Sequence, residues 1–183
     1  NALALVADGL AFYSEYPLRF YSKKNQQKSI VVGNAIKNNL SMNFSNCNKD
    51  SFLFIGSLHQ RKGVDILLYA FRAYLSSSRK IKNLIIIGDG DEKERLLELT
   101  KKLKITDKVL FTGHLSSEKE KLSYFEKAVV SISPNQAGLS VLESFSFGIP
   151  FVTKSNPISG GEFLNIIPQK TGFLFNGKID DLA

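Results

Sequence analysis

Short, unbroken apolar runs halted by glycine constrain this chain more than any other feature. Phe52-Leu53-Phe54-Ile55 stops at Gly56, Leu84-Ile85-Ile86-Ile87 stops at Gly88, and Lys108-Val109-Leu110-Phe111 stops at Gly113. A strand with one face in water alternates apolar and polar residues, whereas a run that is apolar at every position has both faces buried. Between the runs the period changes. Val64, Leu67, Leu68, Phe71 and Leu75 fall at helical spacing until Ser76-Ser77-Ser78 breaks it, and Leu96, Leu99 and Leu103 mark a second helical face. Ser117 and Glu120 have the spacing of a capping box and open a third helix. Ala128 to Ile132 reads as a strand, and a short helix from Leu139 to about Phe147 is closed by Gly148. Pro150-Phe151-Val152-Thr153 and Gly172-Phe173-Leu174-Phe175 complete the set of strands. Repeated strand–helix–strand units with short connections form a parallel sheet covered on both faces, so the expected fold is α/β, a Rossmann-like doubly wound sheet.

Residues 1–50 lack this rhythm. Leu10-Ala11-Phe12-Tyr13 and Ser29-Ile30-Val31-Val32 are strand candidates, and Lys37 to Asp50 is polar, asparagine-rich and expected to be a loop. The reading is a division at residue 50: residues 1–50 are a linker and the remnant of a preceding domain, and 51–183 are the Rossmann-like domain. Asp180-Asp181-Leu182-Ala183 resembles the start of a helix, so the chain reads as a fragment incomplete at both ends. Its 183 residues suit one domain with part of another.

Composition narrows the partners. The net charge of +7 favours anions. The lysines are scattered, and no arginine-rich run with interleaved aromatics appears, so nucleic acid is not an expected partner. A weak peripheral contact with an anionic membrane surface is left open. The single cysteine, Cys47, excludes an internal disulfide framework and fits a reducing compartment. The N-terminal apolar stretch is broken by Asp8 and Glu15, unlike a signal peptide. No apolar run approaches the ~20 residues of a membrane-spanning helix. The expected location is cytoplasmic, with the inner face of the membrane as the peripheral site.

Ligands in doubly wound sheets bind beyond the carboxyl ends of the strands, where the strand order reverses. Two of the loops there carry chemistry. Gly56-Ser57-Leu58-His59-Gln60-Arg61-Lys62-Gly63-Val64-Asp65 joins a buried strand to a helix, with two cations beside the helix start. Backbone N–H groups at such a start favour an anion, although a plain turn with exposed basic residues looks similar. It is neither a Walker loop nor a GxGxxG fingerprint. Ser133-Pro134-Asn135-Gln136-Ala137-Gly138-Leu139-Ser140-Val141-Leu142-Glu143 is a second polar, glycine-containing loop that opens a helix. There the amides of Leu139 and Ser140 are the first donors of the helix. Glu143 lies about one turn further on, where a carboxylate either balances the helix dipole or accepts from two ribose hydroxyls.

With these two motifs in hand, the chain resembles the C-terminal domain of GT-B-fold retaining glycosyltransferases, the group often called glycosyltransferase family 4. Ile55 through Thr153 carry the likeness through Gly56 to Asp65, Gly88-Asp89-Gly90, Val109-Leu110-Phe111-Thr112-Gly113, and Leu142-Glu143 through Gly148-Ile149-Pro150; Gly161-Glu162 and Gly172-Phe173-Leu174 extend it. The resemblance implies roles. Lys62, with Arg61 beside it, matches the basic group at the donor diphosphate. Gly56 and Ser57 belong to the same loop. Glu143 matches the glutamate that holds the ribose, and Gly138, Leu139 and Ser140 match the loop whose amides meet the distal phosphate. His114 and Leu115 lie in the loop that frames the base. Two positions depart from the pattern. Asn135 stands where the family has a glutamate facing the donor sugar, and Ser57 stands where it has an arginine.

The resemblance implies transfer of a sugar from a nucleoside diphosphate donor to a hydroxyl acceptor with retained configuration, in surface polysaccharide or glycolipid synthesis. The nucleotide sugar is then a substrate and no cofactor is implied. The acceptor, a glycan or glycolipid, would be held mainly by the preceding domain. Two alternatives stay open: another GT-B enzyme such as a nucleotide-sugar epimerase, and a non-catalytic nucleotide-sugar-binding subunit. His59 and His114 lack ligand-spaced partners, and Asp89 and Asp91 fall in a strand–helix turn, so no metal site is expected. Glu162, after Gly160-Gly161, is a candidate ligand contact where the donor cleft closes.

Overall fold

A computed structural model of the chain describes residues 2–37, 49–77 and 80–183. Cys47 and most of the loop expected over 37–50 lie outside the described residues. Six strands form one all-parallel sheet: β3 (Ser51–Ile55), β4 (Asn83–Ile87), β5 (Val109–Gly113), β6 (Ala128–Ile132), β7 (Phe151–Lys154) and β8 (Gly172–Phe175). Their spatial order is β5-β4-β3-β6-β7-β8. The chain winds outward from β3 to β5 and then returns to place β6 on the other side of β3. That reversal is the crevice between β3 and β6 where a doubly wound sheet takes its ligand.

The first two apolar runs are accounted for by two cores. Phe52, Phe54, Leu84 and Ile86 face α3 (Val64–Ser77) and α4 (Lys93–Lys102), packing with Leu67, Leu68, Phe71 and Leu96. The alternate residues Leu53, Ile55, Ile85 and Ile87 face the opposite side and pack with Phe125 and Phe147. Phe125 ends α5 (Glu118–Phe125), and Phe147 follows α6 (Leu139–Ser146). Their rings stack with centroids 4.2 Å apart. Both helices are thereby fixed on the face opposite α3. The third run forms the edge strand β5, where Val109 and Phe111 reach the α3-side core but Leu110 is 49% exposed, contrary to the expected burial of both faces.

The element ends fall close to the sequence reading. Helix α3 ends at Ser77, inside the serine run expected to break it; the Ser76 hydroxyl donates to the Arg72 carbonyl and the Ser77 hydroxyl to that of Tyr74, so both back-bond into the helix. Lys108 lies in a 3-10 turn ahead of β5. Ser117 caps α5, accepting from the Glu120 N–H at 3.5 Å. Gly148 closes α6 at φ 64°, as expected for a left-handed helix end.

The N-terminal region is more ordered than its composition suggested. Both strand candidates form: β1 (Leu10–Phe12) pairs in parallel with β2 (Ser29–Val31). Helices α1 (Ala2–Val6) and α2 (Lys23–Gln27), which had no clear periodic signal, flank them. At the other end α7 (Ile179–Leu182) packs Leu182 against the α3-side core.

Candidate functional site

The loops leaving β3, β4, β5 and β6 converge at the carboxyl edge of the sheet. The first two are locked together by backbone: the Leu58 N–H donates to the Asp89 carbonyl at 2.9 Å and the Glu92 N–H to the Leu58 carbonyl at 3.0 Å. Gly88 makes this approach possible. A side chain there would run into the Gly56 carbonyl oxygen, and its φ of +147° suits glycine. The Gly88 N–H then donates to the Gly113 carbonyl at 2.9 Å, bringing in the third loop.

The first and fourth loops meet across the β3–β6 reversal. The Asn135 N–H donates to the Lys62 carbonyl at 3.3 Å. The Asn135 side chain lies over Gly63, where an added Cβ would sit 2.5 Å from its Nδ2. Gly63 has φ 68° and turns the chain from the loop into α3. The fourth loop is also tied from behind, since the Ala137 N–H donates to the Ile158 carbonyl and the Ile158 N–H to that of Asn135. The start of α6 is therefore held in place beside the Lys62 turn.

Beside these loops opens a cleft of about 350 Å³. Gly56, Ser57, His114, Leu115 and Glu143 line it, five residues singled out in the sequence and drawn from two separate loops and a helix. Lys62 is half-buried, with its Nζ close against Gly56. Burial, and secondarily the neighbouring Arg61 charge, hold its ammonium pKa below the ordinary 10.5. Such a cation gains stabilisation when an anion arrives. Arg61 is exposed and is not among the residues lining the cleft. Gly138 caps α6, and Leu139 and Ser140 open it. The Ser140 side chain is buried and its hydroxyl has no hydrogen-bond partner, so this residue can serve an anion through its amide alone. A hollow of about 430 Å³ lies at the amino ends of β3, β4 and β5, the edge away from these loops.

Three acidic side chains singled out in the sequence are held by protein partners. Glu162 is buried and its carboxylate accepts from Ser159 Oγ at 3.1 Å, the Gly160 N–H at 3.0 Å and Asn34 Nδ2 at 3.2 Å. It ties a loop to the N-terminal region and also lines a second cavity of about 360 Å³, with Tyr13, Ser14 and Leu142. Asp91 pairs with His59 at 2.6 Å, and Asp89 accepts from Lys93 at 2.7 Å and from the Gly90 N–H at 2.9 Å, as suits a strand–helix turn. Among the described residues no three His, Cys, Asp or Glu side chains gather as a metal-holding cluster. A residue absent from the sequence reading also enters the cleft. Lys121, on α5, forms an ion pair with Glu143 at 2.7 Å. Its only sequence signal is position, one residue before the inward-facing Leu122 and four before Phe125.

The model of the family described as glycosyl transferases group 1 matches residues 36–183. The chain belongs to that family. Its curated relatives include the O-antigen biosynthesis glycosyltransferase WclY of Escherichia coli, 29% identical over 164 residues, covering 84% of this chain and 45% of that protein. The alpha-monoglucosyldiacylglycerol synthase of Streptococcus pneumoniae is 31% identical over 134 residues, covering 71% and 29%. The chain thus spans less than half the length of these two relatives. Among solved structures, S. aureus TarM in complex with fondaparinux, alpha-GlcNAc-glycerol and UDP superposes with TM-score 0.81 at 18% identity, covering 98% of this chain and 36% of that one. Anabaena Alr3699/HepE in complex with UDP and glucose gives 0.77 at 17%, covering 99% and 53%. At these identities the structures establish the shared fold: the group 1 chain has the architecture of the C-terminal half of a GT-B glycosyltransferase. Among the described residues no helix is long and apolar enough to cross a membrane.

Proposed function

We propose that this group 1 chain is the donor-binding part of a retaining glycosyltransferase that moves a sugar from a nucleoside diphosphate to a hydroxyl acceptor. One observation carries the proposal: the cationic Lys62 turn and the start of α6 meet through Asn135 at the strand-order reversal, next to a cleft containing Glu143. A diphosphate seated between Lys62 and the Leu139 and Ser140 amides directs its nucleoside into that cleft, where Glu143 accepts from the ribose and the His114-Leu115 loop frames the base. The UDP in complex with two fold neighbours supports a nucleotide donor. The names of the two curated relatives support a glycan or glycolipid acceptor.

The difficult event is departure of the nucleoside diphosphate. Negative charge grows on the leaving phosphate as the glycosidic bond breaks. Lys62 and the helix-start amides stabilise that charge more in the transition state than in the ground state, and Arg61 adds to the local positive field. The chain needs no nucleophile of its own for this step, and Asn135 offers an uncharged amide toward the sugar. Calorimetric titration with UDP, GDP, ADP and their sugars tests the site. Binding of one nucleotide series is the expected result, and silence across the panel rejects the proposal. Glu143→Ala should weaken the bound nucleotide by about 1.5–3 kcal/mol, the usual worth of a hydrogen bond to a charged group. The Asn135 and Ser57 departures favour one second reading, a non-catalytic donor-binding subunit. Full-length protein that binds donor but neither hydrolyses nor transfers it would match that reading.

A further inference from the structure

The cleft contains an ion pair that the nucleotide site does not obviously require. Lys121 on α5 reaches Glu143 on α6, Nζ to Oε1, at 2.7 Å, with the two side chains only 19% and 21% exposed. A glutamate on a helix surface samples several rotamers, and each hydrogen bond it makes to a ligand must first select one of them. Here the ammonium makes that selection before any ligand arrives. Lys121 occupies Oε1 and leaves Oε2 to accept from outside. The ammonium is itself anchored, because the next residue, Leu122, and then Phe125 pack into the core on the α5 side. Two helices that enter the site from different loops are thereby brought into register at the carboxylate.

We infer that Lys121 is a positioning residue for recognition of the ribose: it holds the Glu143 carboxylate in the orientation that accepts from the sugar hydroxyls of a nucleotide. This rests on the donor-site reading given above. The pair also places a positive charge beside a carboxylate in a cleft meant for an anionic ligand. The two effects separate experimentally, because only the first depends on the ribose hydroxyls.

The test uses the full-length protein, with whichever of UDP, GDP or ADP binds it and the 2′,3′-dideoxy form of the same nucleotide. Lys121→Met should weaken the ribonucleotide about tenfold, equivalent to ~1.4 kcal/mol, while changing the dideoxy form less than about twofold. Lys121→Arg, which keeps the charge and the donor, should recover most of the loss. Equal losses for both nucleotides would make Lys121 a charge-balancing group and overturn the inference, as would no loss at all. Glu143→Gln separates this failure from failure of the underlying reading. If Glu143→Gln weakens the ribonucleotide selectively and Lys121→Met does not, only the positioning role is lost. If neither discriminates between the two nucleotides, the ribose reading of the cleft falls with it.

Discussion

Lys62 is a side chain whose chemistry is altered by its place in the fold. The turn that brings its Nζ against Gly56 also removes water from it, and Arg61 next to it adds repulsion. Both effects disfavour the ammonium, burial more than charge, so its pKa falls below 10.5. The sign of the consequence follows. Between the lowered pKa and 10.5 the unfolded chain holds more protons at this group than the folded one, so its contribution to stability rises with pH through that window. Diphosphate binding runs the other way, because the anion requires the charged form. Affinity for a nucleoside diphosphate should fall as pH climbs through the lowered pKa, before an ordinary lysine would titrate. Lys62→Arg, which stays charged, should flatten that fall. Titrations at several alkaline pH values check this, and an identical slope for the two proteins would remove Lys62 from the diphosphate site.

At the scale of the loops and helices, two glycines perform different tasks, and the difference has a magnitude. At Gly63 an added methyl meets the Asn135 side chain, which can rotate away, so Gly63→Ala should cost mainly the left-handed backbone penalty of about 1–2 kcal/mol. Combining it with Asn135→Ala should return only the part due to the side-chain contact. At Gly88 the methyl meets the Gly56 carbonyl, which belongs to the neighbouring strand end and cannot rotate away. Gly88→Ala should therefore cost about 3 kcal/mol or more and pull apart the loops that form the cleft. Denaturant melts rank the two, and equal losses would show that the close approach of the first two loops is not needed. These elements also mark what was legible from sequence. The β4 run is found in the structure to within a residue, because its residues buried on both faces are apolar, and β6 matches its expected bounds although it buries Ser131. The glycines after β3 and β4 also lead to the cleft: at Gly88 close backbone approach leaves no room for a side chain, and at Gly56 the φ of +151° suits glycine. The Lys121–Glu143 pair was not legible, because 22 residues separate its members and only the packing of α5 beside α6 joins them. The end of α3 falls inside the serine run expected to break it, with the Ser76 and Ser77 hydroxyls turned back onto carbonyls of its last turns.

At the scale of the whole molecule, contacts cross residue 50, where the sequence pattern suggested a division. Ser14 Oγ donates to the Gly160 carbonyl at 2.6 Å, and Asn34 Nδ2 to Glu162 Oε1 at 3.2 Å. The Tyr16 and Phe163 rings meet edge-on with centroids 5.3 Å apart. Glu162 sits at the centre of this joint, since its carboxylate collects Ser159 and Gly160 from its own loop and Asn34 from the N-terminal region. A glutamate in a glycine-rich loop reads equally well as a ligand group or a brace, and the distinction lies in partners that are distant in sequence. As a brace, it has a measurable consequence. Glu162→Ala leaves three donors without their shared acceptor, two of which water can reach in the opened joint, so the stability loss should be about 2 kcal/mol. Most of the change should be local. Amide hydrogen exchange should accelerate in β1 and β2 and in residues 159–163, while β3 to β6, whose strands are held by the two main cores, keep their protection. Nucleotide affinity should stay within about twofold of the parent, because Glu162 is not among the residues that line the Glu143 cleft. A Glu162→Ala protein with unchanged exchange but lost nucleotide binding would restore the ligand role and make the joint incidental.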